Sequence, residues 1–158
     1  RTRACAFRGA VEYDTIAAIK AAVSIPVLAN GDITSPLKAK EVLDRTHVDG
    51  IMIGRAAQGN PWIFREIAHY LKTGTQLPPP RLHEVREVML GHLQSLYDFY
   101  GDFLGSRIAR KHLGWYVEHR TGGIAFRKAF NQLETATQQL ASAQEYFEHL
   151  IEGEVMAA

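Results

Sequence analysis

Cysteine is almost missing from this 158-residue sequence, which holds only Cys5. A single thiol excludes an internal disulfide framework and a zinc site built on cysteines, and it suits a reducing, cytoplasmic setting. Charge of either sign is not in excess: the formal net charge is +1. Bulk charge therefore argues for no partner, and any phosphate or nucleic-acid site must come from local clustering. Long hydrophobic runs are missing too, since none approaches the roughly 18 residues a membrane helix requires. The seven histidines lack a metal-ligand pattern, with His112 and His119 seven apart on one expected helix and no carboxylate partner. Repeats and low-complexity tracts are absent. So is a starting methionine, and "RTRACAFRG" has no following apolar region, which leads us to expect no signal peptide and a piece of a longer polypeptide. What is present, 46% hydrophobic and 22% charged residues, is the balance of a soluble globular protein of one typical domain or two small ones.

The first half alternates helix and strand. "VEYDTIAAIKAAV" sets Ile16, Ile19, Ala22 and Val23 at helical spacing, and "IPVLA" is a short apolar run rich in β-formers. "TSPLKAKEVLDRT" has Ser35 as N-cap and Pro36 at the first helical position. "DGIMIG" is a second apolar run, and "NPWIFREIAHYLKTG" places Asn60 as N-cap, Pro61 inside the start and Gly74 past the end. Helices alternating with strands predict a parallel sheet or an α/β barrel. Two strands cannot complete either one, so the expected architecture is a truncated α/β barrel, incomplete in this chain.

"TGTQLPPPR" breaks the alternation. Consecutive prolines fit neither a helix interior nor a central strand, so residues 75–81 read as a stiff linker between an α/β part, 1–74, and a second part, 82–158. Beyond the linker, Val85, Val88, Met89, His92, Leu93, Leu96, Tyr97 and Tyr100 form a helical stripe. "SRIARKHLGWYVEHR", "IAFRKAFNQL" and "TATQQLASAQEYFEHLIEG" complete an expected small helical bundle.

Chemistry concentrates at two corners. Both apolar runs of the first half end in glycine beside a polar residue: Asn30-Gly31-Asp32 after one, Gly54-Arg55 after the other. In an α/β barrel the C-terminal ends of the strands form the active face, and the loops after the last strands with a following helix N-terminus often hold a phosphate. Gly54 lets the backbone approach an anion, Arg55 supplies a charge-assisted donor, and Asn30 and Asp32 offer donors and acceptors to hydroxyls or a heterocycle edge. Each corner alone is also ordinary turn chemistry. Together they suit a ligand bearing a phosphate.

"IPVLANGDI", "DGIMIGRAAQGNPWIF" and "RTRACAFRG" resemble the tRNA-dihydrouridine synthases, and the helical half with "RIARKHLGWY" is similar to the bacterial subtype B of that family. The resemblance covers nearly the whole chain. It implies that this chain holds the last strands of an FMN-bearing TIM (β/α)8 barrel followed by an all-α helical tRNA-binding domain, in an enzyme whose flavin, recharged by NADPH, reduces the C5–C6 bond of particular uridines. It also implies a cytoplasmic enzyme, monomeric when complete and without metal. By that resemblance Asn30, Gly31 and Asp32 contact the flavin, Gly54 and Arg55 hold its phosphate, and Trp62 and Phe64 pack. "RTR" corresponds to the segment after the sixth strand, where Arg1 and Arg3 face either substrate or solvent. The family's proton-donating cysteine lies in an Asn-x-Gly-Cys-Pro context and its flavin-contacting lysine in earlier strands. Neither segment occurs here, and Cys5 in "RACAF" is not that acid. The chain alone is therefore expected to be inactive.

The near-neutral total conceals a polarised second half. Six Lys/Arg and one acid lie between Arg107 and Lys128, whereas five acids and no Lys/Arg follow from Glu134 onward. Arg107, Arg110 and Lys111 share one helical arc, with Gly114 inside it as a place where an RNA backbone could approach, while Ala109, Leu113 and Tyr116 turn toward the bundle. The expected RNA contacts are Arg107, Arg110, Lys111, Arg127 and Lys128, with Trp115 and Tyr116 either in the core or stacking on bases. Two other readings stand beside this one. The first is another phosphate-binding FMN barrel acting on a small metabolite, and the second is an RNA-binding module without catalysis.

Overall fold

The structure is a computed structural model that describes residues 8–157. Arg1, Arg3 and Cys5, singled out above, lie outside the described residues. The chain divides into two compact units, Arg1–Pro78 and Pro79–Ala158, and the division falls within the run of three prolines.

The first unit runs α1 (Tyr13–Ala22), β1 (Leu28–Asn30), α2 (Pro36–Thr46), β2 (Gly50–Met52), a single 3-10 turn (Arg55–Ala57) and α3 (Ile63–Thr73). The two strands pair in parallel, with Leu28 opposite Gly50, Ala29 opposite Ile51 and Asn30 opposite Met52. Parallel strands need a crossover, and α2 supplies it. Helices α1 and α2 pack together, as do α2 and α3. Tyr13, Ala29, Ile33, Ala39, Val42, Val48, Ile63 and Ile67 form the core of this unit. Because successive strand residues face opposite ways, Ala29 points into the core while Leu28 (64% exposed) and Met52 (52% exposed) line the other face. That open, two-stranded sheet with one uncovered face is part of a barrel, as expected from the sequence. Of the apolar stripe of α1, Ile16 packs on the core, whereas Ile19 and Val23 are exposed.

The start of α2 follows its sequence signals. Ser35 Oγ accepts from Lys38 N at 3.1 Å and Pro36 opens the helix. The start of α3 does not. Asn60, expected as N-cap, instead begins a turn in which Ile63 N donates to Asn60 O at 3.4 Å. Pro61 and Trp62 belong to that turn, and the first α-type bond of α3 runs from Glu66 N to Trp62 O. A proline-containing i→i+3 turn has here been inserted ahead of the helix, which begins at Ile63 without a side-chain cap. Gly74 closes α3 as expected, left-handed at φ 74° with its N–H on Tyr70 O. Trp62 is buried as a packing residue, but Phe64 is 54% exposed and is not one.

The second unit is helical: α4 (Leu82–Val117), α5 (Gly123–Phe130) and α6 (Ala136–Ala157). The two helices expected between 82 and 117 are the arms of α4, broken at Gly101, whose φ of 73° and ψ of 169° leave the helical region. The arms fold back antiparallel. A Cβ on Gly105 would lie 3.0 Å from Tyr97 Cα, and the His92 and His112 rings meet at 4.7 Å. Leu82, Val85, Met89, Leu93 and Tyr97 from one arm and Ala109, Leu113, Tyr116 and Val117 from the other are buried, with Phe130 of α5 and Ala143 and Phe147 of α6. Buried among them, Gln139 accepts from the Tyr97 hydroxyl at 2.9 Å and donates to Ser106 O at 3.0 Å and Leu133 O at 3.2 Å. The start of α6 is a reciprocal cap in which Gln138 N donates to Thr135 Oγ1 and Thr135 N to Gln138 Oε1. Asp102, just past the break, accepts from Ala136 N at 2.7 Å and so ties the second arm to α6. Among the described residues no helix is long and apolar enough to cross a membrane.

Candidate functional site

The two glycine corners of the first unit come together. Asn30, Gly31, Asp32, Ile33, Thr34, Met52, Gly54, Arg55 and Ala56 line one cleft of about 370 Å³ at the C-terminal ends of β1 and β2. That volume is in the range of small-molecule sites. Parallel pairing puts the two strand ends side by side, which is why corners about two dozen residues apart in sequence share one cleft. Asn30 Nδ2 donates to Met52 O at 2.9 Å, so the side chain is fixed across the sheet. Arg55 Nη2 donates to Asp32 Oδ1 at 2.9 Å, closing the cleft with an ion pair between the corners.

The Asn-Gly-Asp corner is held by residues that local sequence reading did not single out. The Tyr13 hydroxyl, at the first position of α1, donates to Gly31 O. Gly31 has φ 138°, and a Cβ there would lie 2.8 and 2.9 Å from the two methyls of Val11. Only glycine fits both that backbone and that contact. Asp32 follows at φ 46°, a left-handed conformation that Asp tolerates better than most residues. At the other corner a Cβ on Gly54 would meet nothing within 4 Å, so the residue borders open space that an anion can enter. The helix N-terminus expected beside Arg55 is a single 3-10 turn, whereas α3 starts only at Ile63. The anion-holding capacity of this corner thus rests on Arg55 and on the close approach that Gly54 allows.

The basic residues of the second unit separate into two groups. Arg107 and Lys111 are exposed, one helical turn apart on the second arm of α4. The Arg107 guanidinium lies 3.8 Å from the Phe103 ring centre, and the Lys111 ammonium 5.1 Å from that of Trp115. Arg127 joins them from α5: a Cβ on Gly114 would sit 2.9 Å from Arg127 Nε, so the arginine lies across the glycine. Gly114 is therefore a buried seat for Arg127 and not the open approach for an RNA backbone read from the sequence. Lys128 beside it is exposed. Arg110 faces inward, half-buried, and donates to Leu133 O at 3.0 Å, while its Nε is buried without a partner. Ala109, Leu113 and Tyr116 pack in the bundle as expected. Trp115 is half-buried, its ring meeting His112 at 5.1 Å edge-on. Burial holds His92 and His112 below the ordinary histidine pKa, helped for His112 by His92 and Lys111. No group of three or more metal-ligating side chains occurs among the described residues.

Comparison with known proteins adds the family. The family model described as Dihydrouridine synthase (Dus) matches residues 1–152. The chain is 61% identical over 147 residues to "tRNA-dihydrouridine synthase B" of Pseudomonas putida, covering 93% of this chain and 44% of that protein. Proteins of the same name are 55% identical in Vibrio cholerae, over 95% of this chain and 47% of theirs, and 57% identical in Escherichia coli K12, over 94% and 46%. The chain thus spans a little under half the length of the curated relatives it matches. A family match over 152 of 158 residues leads to one assignment. The chain belongs to the dihydrouridine synthase family.

Proposed function

We propose that this chain supplies the last two barrel strands and the helical RNA-binding part of a flavin-dependent tRNA-dihydrouridine synthase, a cytoplasmic monomer when complete. In that reading, residues 1–74 belong to the barrel, 75–81 link, and 82–158 bind tRNA. The observation that carries it is the convergence of Asn30, Gly31, Asp32, Gly54 and Arg55 on one cleft in a chain of this family.

The residues of the cleft fit FMN. Arg55 provides the cationic donor for a phosphate, and the open space at Gly54 lets the anion come close. The Asp32 carboxylate beside Arg55 would repel a phosphate, so Asp32 is suited to accept hydrogen bonds from the ribityl hydroxyls while it keeps the guanidinium in place. Asn30 is held by Met52 O and presents a carboxamide at the strand end. Bound FMN, recharged by NADPH, would supply the hydride that reduces the C5–C6 bond of a uridine. This chain would position that group and hold the tRNA through Arg107, Lys111, Arg127 and Lys128, while Arg110 would support the surface from within through Leu133 O. Its one cysteine, Cys5, lacks the family's acid context, so the proton donor would come from sequence beyond these residues.

A chimera tests the proposal. In the Pseudomonas putida relative, the matched portion is replaced by this chain, and the product is purified and assayed on tRNA from cells without dihydrouridine synthases. The expected result is a yellow protein that forms dihydrouridine with NADPH, whereas the 158-residue chain alone does not. A colourless chimera would refute the cofactor assignment. A yellow chimera that oxidises NADPH but leaves every uridine intact would favour an FMN oxidoreductase of another substrate.

A further inference from the structure

A group of exposed apolar side chains lies at the break in α4. Phe99 is 81% exposed, Phe103 70%, and Leu104 and Tyr100 nearly half, all within two residues or one turn of Gly101. Large apolar side chains grouped in this way on a surface mark a contact site. The Phe99 and Tyr100 rings meet edge-on at 4.8 Å, and Phe103 carries the Arg107 guanidinium on one face at 3.8 Å. Continuing along the same arm, Phe103, Arg107, Lys111 and the Gly114 seat of Arg127 follow at intervals of four, four and three residues, which aligns them on one helix face. An aromatic platform thus stands at one end of a cationic track.

We infer that Phe103, with Phe99, is a stacking site for an unpaired RNA base whose flanking phosphates run along Arg107, Lys111 and Arg127. This rests on the RNA-binding reading above and adds to it a contact to a base. Charge favours RNA over a protein partner. From Arg107 to Lys128 the exposed cations Arg107, Lys111, Arg127 and Lys128 face one exposed acid, Glu118, while Asp98 and Asp102 beside the break are exposed and accept from Gln94 Nε2 and Ala136 N. A base stacks on a flat π-face, and a guanidinium on the opposite face of Phe103 leaves that ring oriented for it. Phe103 offers such a face more openly than Trp115, which is half-buried between His112 and Lys111.

The test compares Phe103→Ala, Phe99→Ala, Phe103→Trp and Arg107→Ala in the full chain and in the chimera. Fluorescence anisotropy is measured over a salt series with a tRNA transcript and with a blunt RNA duplex, and every variant is melted thermally. Loss of stacking should weaken tRNA binding roughly tenfold in each Phe→Ala variant, with the salt slope and the melting temperature unchanged. Phe103→Trp should restore affinity, and duplex binding should not respond. Arg107→Ala should instead lower the slope of log K against log salt by about 0.7. If Arg107→Ala behaves so but the Phe→Ala variants bind tRNA normally, the base site is wrong and the RNA face stands. If neither class of variant affects tRNA, the RNA reading fails with it. Equal losses on tRNA and duplex, or a large fall in melting temperature for Phe103→Ala, would show a ring that packs against protein and would overturn the inference.

Discussion

Gln139→Leu should loosen the helical unit by about 2–4 kcal/mol, and the structure indicates where that energy comes from. Gln139 is fully buried and makes three hydrogen bonds, to Tyr97 Oη, Ser106 O and Leu133 O. Leucine keeps most of the volume, so little cavity opens and the loss is polar. The Tyr97 hydroxyl, on a side chain only 6% exposed, loses its acceptor, which costs about 1–3 kcal/mol for a buried unsatisfied donor. Bonds to two carbonyls are also lost at about 1 kcal/mol each, less at Leu133 O, which still accepts from Arg110. Tyr97→Phe alone leaves Gln139 Oε1 bare and should cost about 1–2 kcal/mol. In the double variant neither orphan remains, so the pair should be less destabilised than the sum by about 1–2 kcal/mol. Tyr97 stays a donor in any ordinary buffer, since burial and the nearby Asp102 charge hold its pKa well above the usual tyrosine value. Urea unfolding of the 158-residue chain, followed by far-ultraviolet circular dichroism, gives all four corners of the cycle. A Gln139→Leu cost under about 0.5 kcal/mol, or strict additivity with Tyr97→Phe, would refute the assignment of Gln139 as the node joining the two arms of α4 to the α5–α6 connection.

Gly31→Ala should destabilise the first unit by about 1–3 kcal/mol, because alanine at φ 138° is strained and its Cβ meets Val11 at 2.8 Å. Adding Val11→Ala should relieve the clash but not the backbone, recovering only part of the lost melting temperature. Gly114→Ala should melt no lower than the parent, since the helix gains about 1 kcal/mol and the obstructing atom is the end of a flexible arginine. The displaced Arg127 should nevertheless weaken tRNA binding in the anisotropy assay. His92 and His112 are held below the ordinary histidine pKa in the folded chain, so the unfolded chain takes up their protons first as pH falls. Stability present above about pH 6.5 should therefore decline below it, and His92→Gln with His112→Gln should flatten that decline in melting temperature.

What was legible in the sequence was local. Ser35-Pro36 and Gly74 announced helix ends because cap chemistry depends on neighbouring residues alone. Asn60-Pro61 carried the same signals and did not start a helix, because the stretch closes a turn first, with Trp62 buried in it. The two corners of the cleft were legible as turn chemistry at strand ends. Their ion pair and the bracing by Val11 and Tyr13 were not, since each joins residues brought together only by the fold. The basic face was legible as composition, but its membership was not. Helical spacing grouped Arg110 with Arg107 and Lys111, whereas the α5–α6 connection draws it inward to Leu133 O. Helical spacing likewise says nothing of Arg127, which reaches Gly114 from another helix.

The break at Gly101 has a topological consequence. The 36 residues of α4, were they one rod, would extend about 54 Å, far beyond a compact unit of about 80 residues. With the break, the second arm returns along the first, so that His112 and Tyr116 meet His92 in the same chain. A residue with a Cβ resists the φ of 73° and ψ of 169° found here, so any other residue at this position sets the return of the second arm against its own backbone. The meeting of His92 with His112 and Tyr116 thus turns on the backbone freedom of one glycine.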